Sequence, residues 1–207
     1  MQQFFFLVTV LASTLTLAAS TVALAQSDPA ALLEKRDLAA AAVLSAPPAI
    51  AQPTTSISIE YLMTVYLPKE SSLVVNPSLV ISRDPAGGWV RGKVSGRVLD
   101  PSADWVRIIP SDALRLRLDA RVTIETDDHE IIYMSYNGRM HCDKETAERF
   151  RKGEALKAED CYLLSAPTFE TRSEKYAWLS DVQAIGKMVE YKPGKDGHLI
   201  YDVFVVK

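Results

Sequence analysis

Beyond residue 55, hydrophobic side chains fall on every second position over long stretches of the chain. In residues 56–67, Ile57, Ile59, Tyr61, Met63, Val65 and Leu67 alternate with Ser56, Ser58, Glu60 and Thr64. A period of two predicts a strand, because successive side chains of an extended chain point to opposite faces. Residues 89–99 alternate in the same way, with Val90, Gly92, Val94, Gly96 and Val98 against Trp89, Arg91, Lys93, Ser95 and Arg97. Glycines inside such a run mark a bend or the close approach of another group. The clearest strand is residues 114–126, where Leu114, Leu116, Leu118, Ala120, Val122 and Ile124 oppose Arg115, Arg117, Asp119, Arg121, Thr123 and Glu125. Turn residues 127–130 and the β-rich run 131–136 then predict a hairpin.

One helix is expected, over residues 144–152, with Asp143 as its cap, Ala147 and Phe150 turned inward and Gly153 ending it. Strands are expected again at 161–164, 168–172, 176–182, 185–191 and 199–206, with a turn at 193–197. Many short strands with close turns and one helix predict an antiparallel β-sandwich or β-barrel. They exclude parallel α/β folds and helical bundles.

The first 25 residues carry no charged side chain and end in Ala23-Leu24-Ala25. An apolar core followed by small-x-small predicts a cleaved signal peptide; a retained anchor is the alternative. Residues 26–55 read as a propeptide and a flexible Ala- and Pro-rich lead-in, because Lys35-Arg36 resembles a kexin-type processing site of fungi and no apolar periodicity follows. Residues 56–207 have the usual size of one domain. The expected location is the secretory pathway, with the mature protein secreted.

The chain carries 23 basic and 26 acidic residues, interspersed, for a formal net charge of −3. That pattern predicts no nucleic-acid partner and, once the signal is cleaved, no membrane partner. Its two cysteines, Cys142 and Cys161, are expected to pair in an oxidising compartment, with two buried thiols as the alternative.

A series of short motifs then points to a family: Gly96-Arg97-Val98-Leu99, Ala103-Asp104-Trp105, Asp119-Ala120-Arg121, Glu125-Thr126-Asp127-Asp128, Ile132-Tyr133, Asn137-Gly138-Arg139, Phe169-Glu170-Thr171 and Tyr176-Ala177-Trp178-Leu179. In this order they resemble the domain-of-unknown-function family 3237, over residues 57–207. The resemblance implies an antiparallel, lipocalin-like β-barrel with a central cavity, and little about chemistry. His129, and Asp100-Pro101-Ser102, depart from the family's usual turns.

Candidate chemistry concentrates in a few places. Arg121 is placed to bridge Asp119 and Glu125 if their strand face points inward; facing outward, the same residues form a solvated edge. Asp104 beside Trp105 reads as a carboxyl with a raised pKa, and alternatively as a turn cap beside a core indole; Glu170 beside Phe169 has the same two readings. Tyr133 is a candidate proton relay, and Trp105, Tyr136, Tyr176 and Trp178 are candidate ring walls for a flat, oxygenated ligand. The chain has no phosphate-cradling loop, nucleophile elbow or dinucleotide fingerprint, and its three histidines, His129, His141 and His198, are widely spaced. The expectation is an enzyme without cofactor or metal, a cyclase, isomerase or lyase in which Asp104, Glu125 or Glu170 gives the proton and Arg121 holds a developing oxyanion, acting on a small hydrophobic, oxygenated molecule in fungal secondary-metabolite biosynthesis. A non-catalytic secreted carrier of such a molecule is the alternative.

Overall fold

The computed structural model describes residues 55–207. The expected signal peptide, the expected processing site at Lys35-Arg36 and residues 26–54 of the expected lead-in lie outside these residues.

Eleven strands form one sheet: β1 Ile59–Pro68, β2 Leu73–Asn76, β3 Leu79–Arg83, β4 Trp89–Gly92, β5 Gly96–Ile108, β6 Leu114–Thr126, β7 Ile131–Cys142, β8 Leu156–Lys157, β9 Tyr162–Thr171, β10 Ala184–Lys192 and β11 His198–Val206. Eight of them close into an antiparallel barrel, in the order β5, β4, β1, β11, β10, β9, β7, β6 and back to β5. Strand β3 adds to the outer half of β5 and carries β2 as an edge, while β8 pairs with β10.

The alternation read along β6 sets its two faces: Leu116, Ala120, Val122 and Ile124 are buried, and the charged set between them faces outward. Inward residues of the other strands complete the core, among them Leu62, Val65, Val90, Val98, Met134, Met188 and Val203. Burying one such aliphatic side chain stabilises the fold by about 1.5–3 kcal/mol.

Several expected strand limits change. The run 89–99 is two strands, because the chain turns at Gly92, whose φ of 150° suits glycine and where a Cβ would lie 2.4 Å from the Leu62 carbonyl oxygen. The two strands expected at 161–164 and 168–172 are one strand, β9, from Tyr162 to Thr171; Pro167 is tolerated inside it because β10 pairs with β9 only at Leu164 and Ser165. The expected strand 176–182 is a 3-10 helix, Ala177–Asp181. The hairpin β2–β3 is not marked by alternation and carries no expectation from the pattern.

The expected helix, α1, spans Lys144–Arg151, with Asp143 Oδ1 accepting the Thr146 N–H at 2.8 Å. Glu145 in its first turn and Arg149 and Arg151 in its last suit the helix dipole. Ala147 is fully buried, and Phe150 packs edge-on against Tyr191 of β10 at 5.1 Å. The Sγ atoms of Cys142 and Cys161 lie at bonding distance, 2.01 Å, so the pair fits a disulfide that closes the excursion containing α1 and β8.

Candidate active site

Gly96 and Val98 of β5 face the interior, and after the bulge between Leu99 and Ala103 the even-numbered Ser102 and Asp104 do so again. Asp104 therefore points inward and is 4% exposed, while Trp105 points outward and is 36% exposed. The β5–β6 pairing is interrupted between Asp104 and Arg107. Within this gap the Asp119 N–H donates to Asp104 Oδ1 at 2.9 Å, so a partly buried backbone donor left out of the ladder is satisfied by a side chain.

Two further charged residues share this interior. Lys69 continues the inward series Met63, Val65, Leu67 one step past β1, and Asp84 follows the inward Ser82 one step past β3. Lys69 Nζ donates to Asp84 Oδ1 at 2.5 Å with both side chains buried, and the Asp84 N–H is held by the Ser102 carbonyl oxygen at 3.0 Å. Asp84 Oδ2 has no hydrogen-bond partner among the described residues. Lys69, Ser82 and Asp104 line a cavity of about 10 Å³ together with Tyr191, Met140, Leu163 and Leu199, room for one water molecule. The Phe150–Tyr191 contact brings α1 onto a wall of this cavity.

Burial is the strongest influence on Asp104 and raises its carboxyl from 3.8 to about 6; Lys69 and the Asp119 N–H act in the opposite direction. Burial also raises Asp84, against the pull of Lys69. Desolvation works against the Lys69 ammonium, but the charge of Asp84 and its hydrogen bond outweigh it, so Lys69 keeps its proton. A protonated Asp104 leaves the trio electrically neutral, the arrangement an apolar interior favours. The arrangement offers a carboxyl able to give or take a proton near neutrality beside a fixed cation.

Deeper in the barrel, Tyr136 and Tyr201 meet edge to face at 5.7 Å, and neither hydroxyl has a partner among the described residues. Burial raises both phenols well above their ordinary value, so they stay protonated.

Asp104 and Tyr136 are thus interior; the other candidates are elsewhere. Arg121 faces outward, donates to Asp119 Oδ1 at 2.6 Å and sits over the Trp105 ring at 5.0 Å. It does not bridge to Glu125, which pairs instead with Arg97 at 2.5 Å and His129 at 3.2 Å. Trp105 does not wall Asp104, because adjacent residues of a strand point to opposite faces. Tyr133 and Glu170 are cross-strand neighbours on the outer face. Tyr176 is buried and donates from its hydroxyl to Asp128 Oδ1 at 2.9 Å, whereas Trp178 is 40% exposed in the 3-10 helix, so the two share no strand face. Lys69, Asp84, Ser82 and Tyr191 were not among the sequence candidates. Lys69 was legible as a lysine in the inward series of β1. Among the described residues, no group of three or more His, Cys, Asp or Glu side chains is placed to hold a metal ion.

Residues 58–206 match the family described as Protein of unknown function (DUF3237). The chain belongs to this family. A UPF0311 protein of Bradyrhizobium diazoefficiens is 35% identical over 95 residues, which are 46% of this chain and 61% of that protein, so the chain spans less than two thirds of this relative's length. The crystal structure of a conserved protein of unknown function from Rhodopseudomonas palustris superposes with a TM-score of 0.67 at 24% identity, over 75% of this chain and 100% of that chain. The structure of an enzyme from Penicillium herquei superposes at 0.53 with 19% identity, over 76% of this chain and 100% of that chain. At such identities the likeness is one of fold.

Proposed function

We propose that the barrel is a cofactor-independent acid/base enzyme, a cyclase, isomerase or lyase, and that Asp104 is its proton donor. The observation that supports this reading is a carboxyl raised to about 6 on the wall of an interior cavity, beside the Lys69 ammonium. The substrate class is a small hydrophobic molecule carrying oxygen functions. Protonated Asp104 gives its proton to a substrate oxygen or alkene carbon; an internal hydroxyl then closes on the electron-poor centre and returns a proton to Asp104, so substrate and product are isomers. Lys69 stabilises the carboxylate left after the first transfer, and the Asp119 N–H holds it in place. A cavity of about 10 Å³ does not admit such a molecule, so entry requires the capping segment around α1 to swing out or Met140 and the leucines to repack. On the expected leader and Lys35-Arg36, the proposal assigns this chemistry to a fungal secretory pathway and to secondary-metabolite biosynthesis.

The test is native mass spectrometry with small-molecule extraction on the whole chain expressed in a fungal host. Extracts that yield a bound molecule are incubated with the wild type and with Asp104→Asn. The enzyme reading expects conversion by the wild type, falling as pH rises through about 6, and ligand binding without turnover by Asp104→Asn. A ligand recovered unchanged identifies a carrier and rejects the enzyme; equal loss of binding and turnover in the variant rejects Asp104 as the proton donor.

A further inference from the structure

The outward face of the barrel wall carries an arrangement that the interior chemistry does not use. Cross-strand register sets Arg107 of β5 opposite Arg117 of β6, and Arg117 opposite Arg139 of β7. Three guanidinium groups thus line up across three neighbouring strands, all exposed, in a chain whose net charge is negative. None of the three has an ion-pair or hydrogen-bond partner for its side chain among the described residues. Asp119, two residues from Arg117 on the same face of β6, pairs instead with Arg121. Like charges placed directly opposite on a sheet repel one another, so the row costs stability while it stays empty.

The row borders a groove of about 510 Å³ on this outer wall. Arg117, Asn137 and Arg139 supply donors along it, and Tyr162, Ala166 and Ile185 supply an apolar side. Beneath it, the core-facing row of β7, β9 and β10 is Gly138, Ser165 and Gly186, residues with little or no side chain. A Cβ at Gly186 would lie 2.4 Å from Ser165 Oγ, so a larger residue there would push the serine hydroxyl aside.

We propose that this groove is a binding site for a small amphiphilic anion, an apolar body bearing one oxyacid group. The planar forks of Arg117 and Arg139 suit two-point recognition of a carboxylate, sulfate or phosphate ester, and the Tyr162, Ala166 and Ile185 surface takes the apolar body. The site is distinct from the interior cavity; the only residue lining both is Leu118.

The experiment uses the whole chain and the fluorescent probe anilinonaphthalene sulfonate, with naphthoate, naphthyl phosphate and neutral naphthalene methanol as competitors. The wild type is expected to bind the sulfonate, Arg117→Gln/Arg139→Gln to bind it at least tenfold more weakly, and Asp104→Asn to bind it as the wild type does. The two anionic competitors displace the probe, and their ranking identifies the preferred head group. Thermal unfolding supplies a second readout: the double variant is expected to melt at the same temperature as the wild type or higher, since a repulsion has been removed. Unchanged affinity in the double variant, displacement by the neutral competitor as readily as by the anions, or a lowered melting temperature each overturns the proposal.

Discussion

Replacing Asp104 by Asn removes the carboxyl whose proton the barrel interior holds close to neutral pH. Burial is the main cause, lifting its pKa from 3.8 in the unfolded chain to about 6 in the fold. At about 1.4 kcal/mol for each pH unit, that difference corresponds to about 3 kcal/mol. The folded state binds this proton more tightly than the unfolded one, so the contribution of Asp104 is fully present below 3.8. It is lost as pH rises through about 6. Asparagine keeps the size of the side chain and the oxygen that accepts the Asp119 N–H, and it stays neutral throughout. Denaturant unfolding of the two proteins should therefore agree near pH 4, diverge between about pH 4 and pH 6 and stay apart by a constant amount above that, with Asp104→Asn the more stable by up to about 3 kcal/mol. Asp84, also raised by burial, titrates in both proteins and largely drops out of the difference. Parallel stability curves from about pH 4 to pH 8, or a variant less stable than the wild type at the upper end, would refute the assignment of a desolvated, proton-holding carboxyl.

Other perturbations test the neighbouring parts. Lys69→Met leaves Asp84 as an uncompensated buried charge and should cost about 3–5 kcal/mol in denaturant unfolding, most of it recovered when Asp84→Leu is added. Cys142→Ser/Cys161→Ser opens a loop of sequence separation 19 and should lower stability by about 3 kcal/mol, with amide exchange rising first over Lys144–Arg151. Tyr136→Phe removes a buried hydroxyl that has no partner, so unfolding should show no loss and a gain of up to about 1 kcal/mol.

The alternation of β6 determined by itself that Leu116, Ala120 and Ile124 share one face, and the apolar members of that face had to be the buried ones. The same rule, carried one step past β1, reaches Lys69, and along β5 it places Asp104 and Trp105 on opposite faces. The cap of α1 and its stop at Gly153 were local, and local chemistry was enough to read them. The cysteine pair was legible in part: an even count made a bridge an expectation, and the fold brought the two sulfurs together. What lay beyond the sequence was everything set by register. That Glu125 met Arg97, and that Arg107, Arg117 and Arg139 lay in one row, depended on which residues face each other across strands. The convergence of Lys69, Asp84 and Asp104 likewise required three strands to close on a common interior. A period of two tells which residues share a face of one strand; only the pairing of strands decides which charges become neighbours, and only closure of the barrel decides which of them lose water.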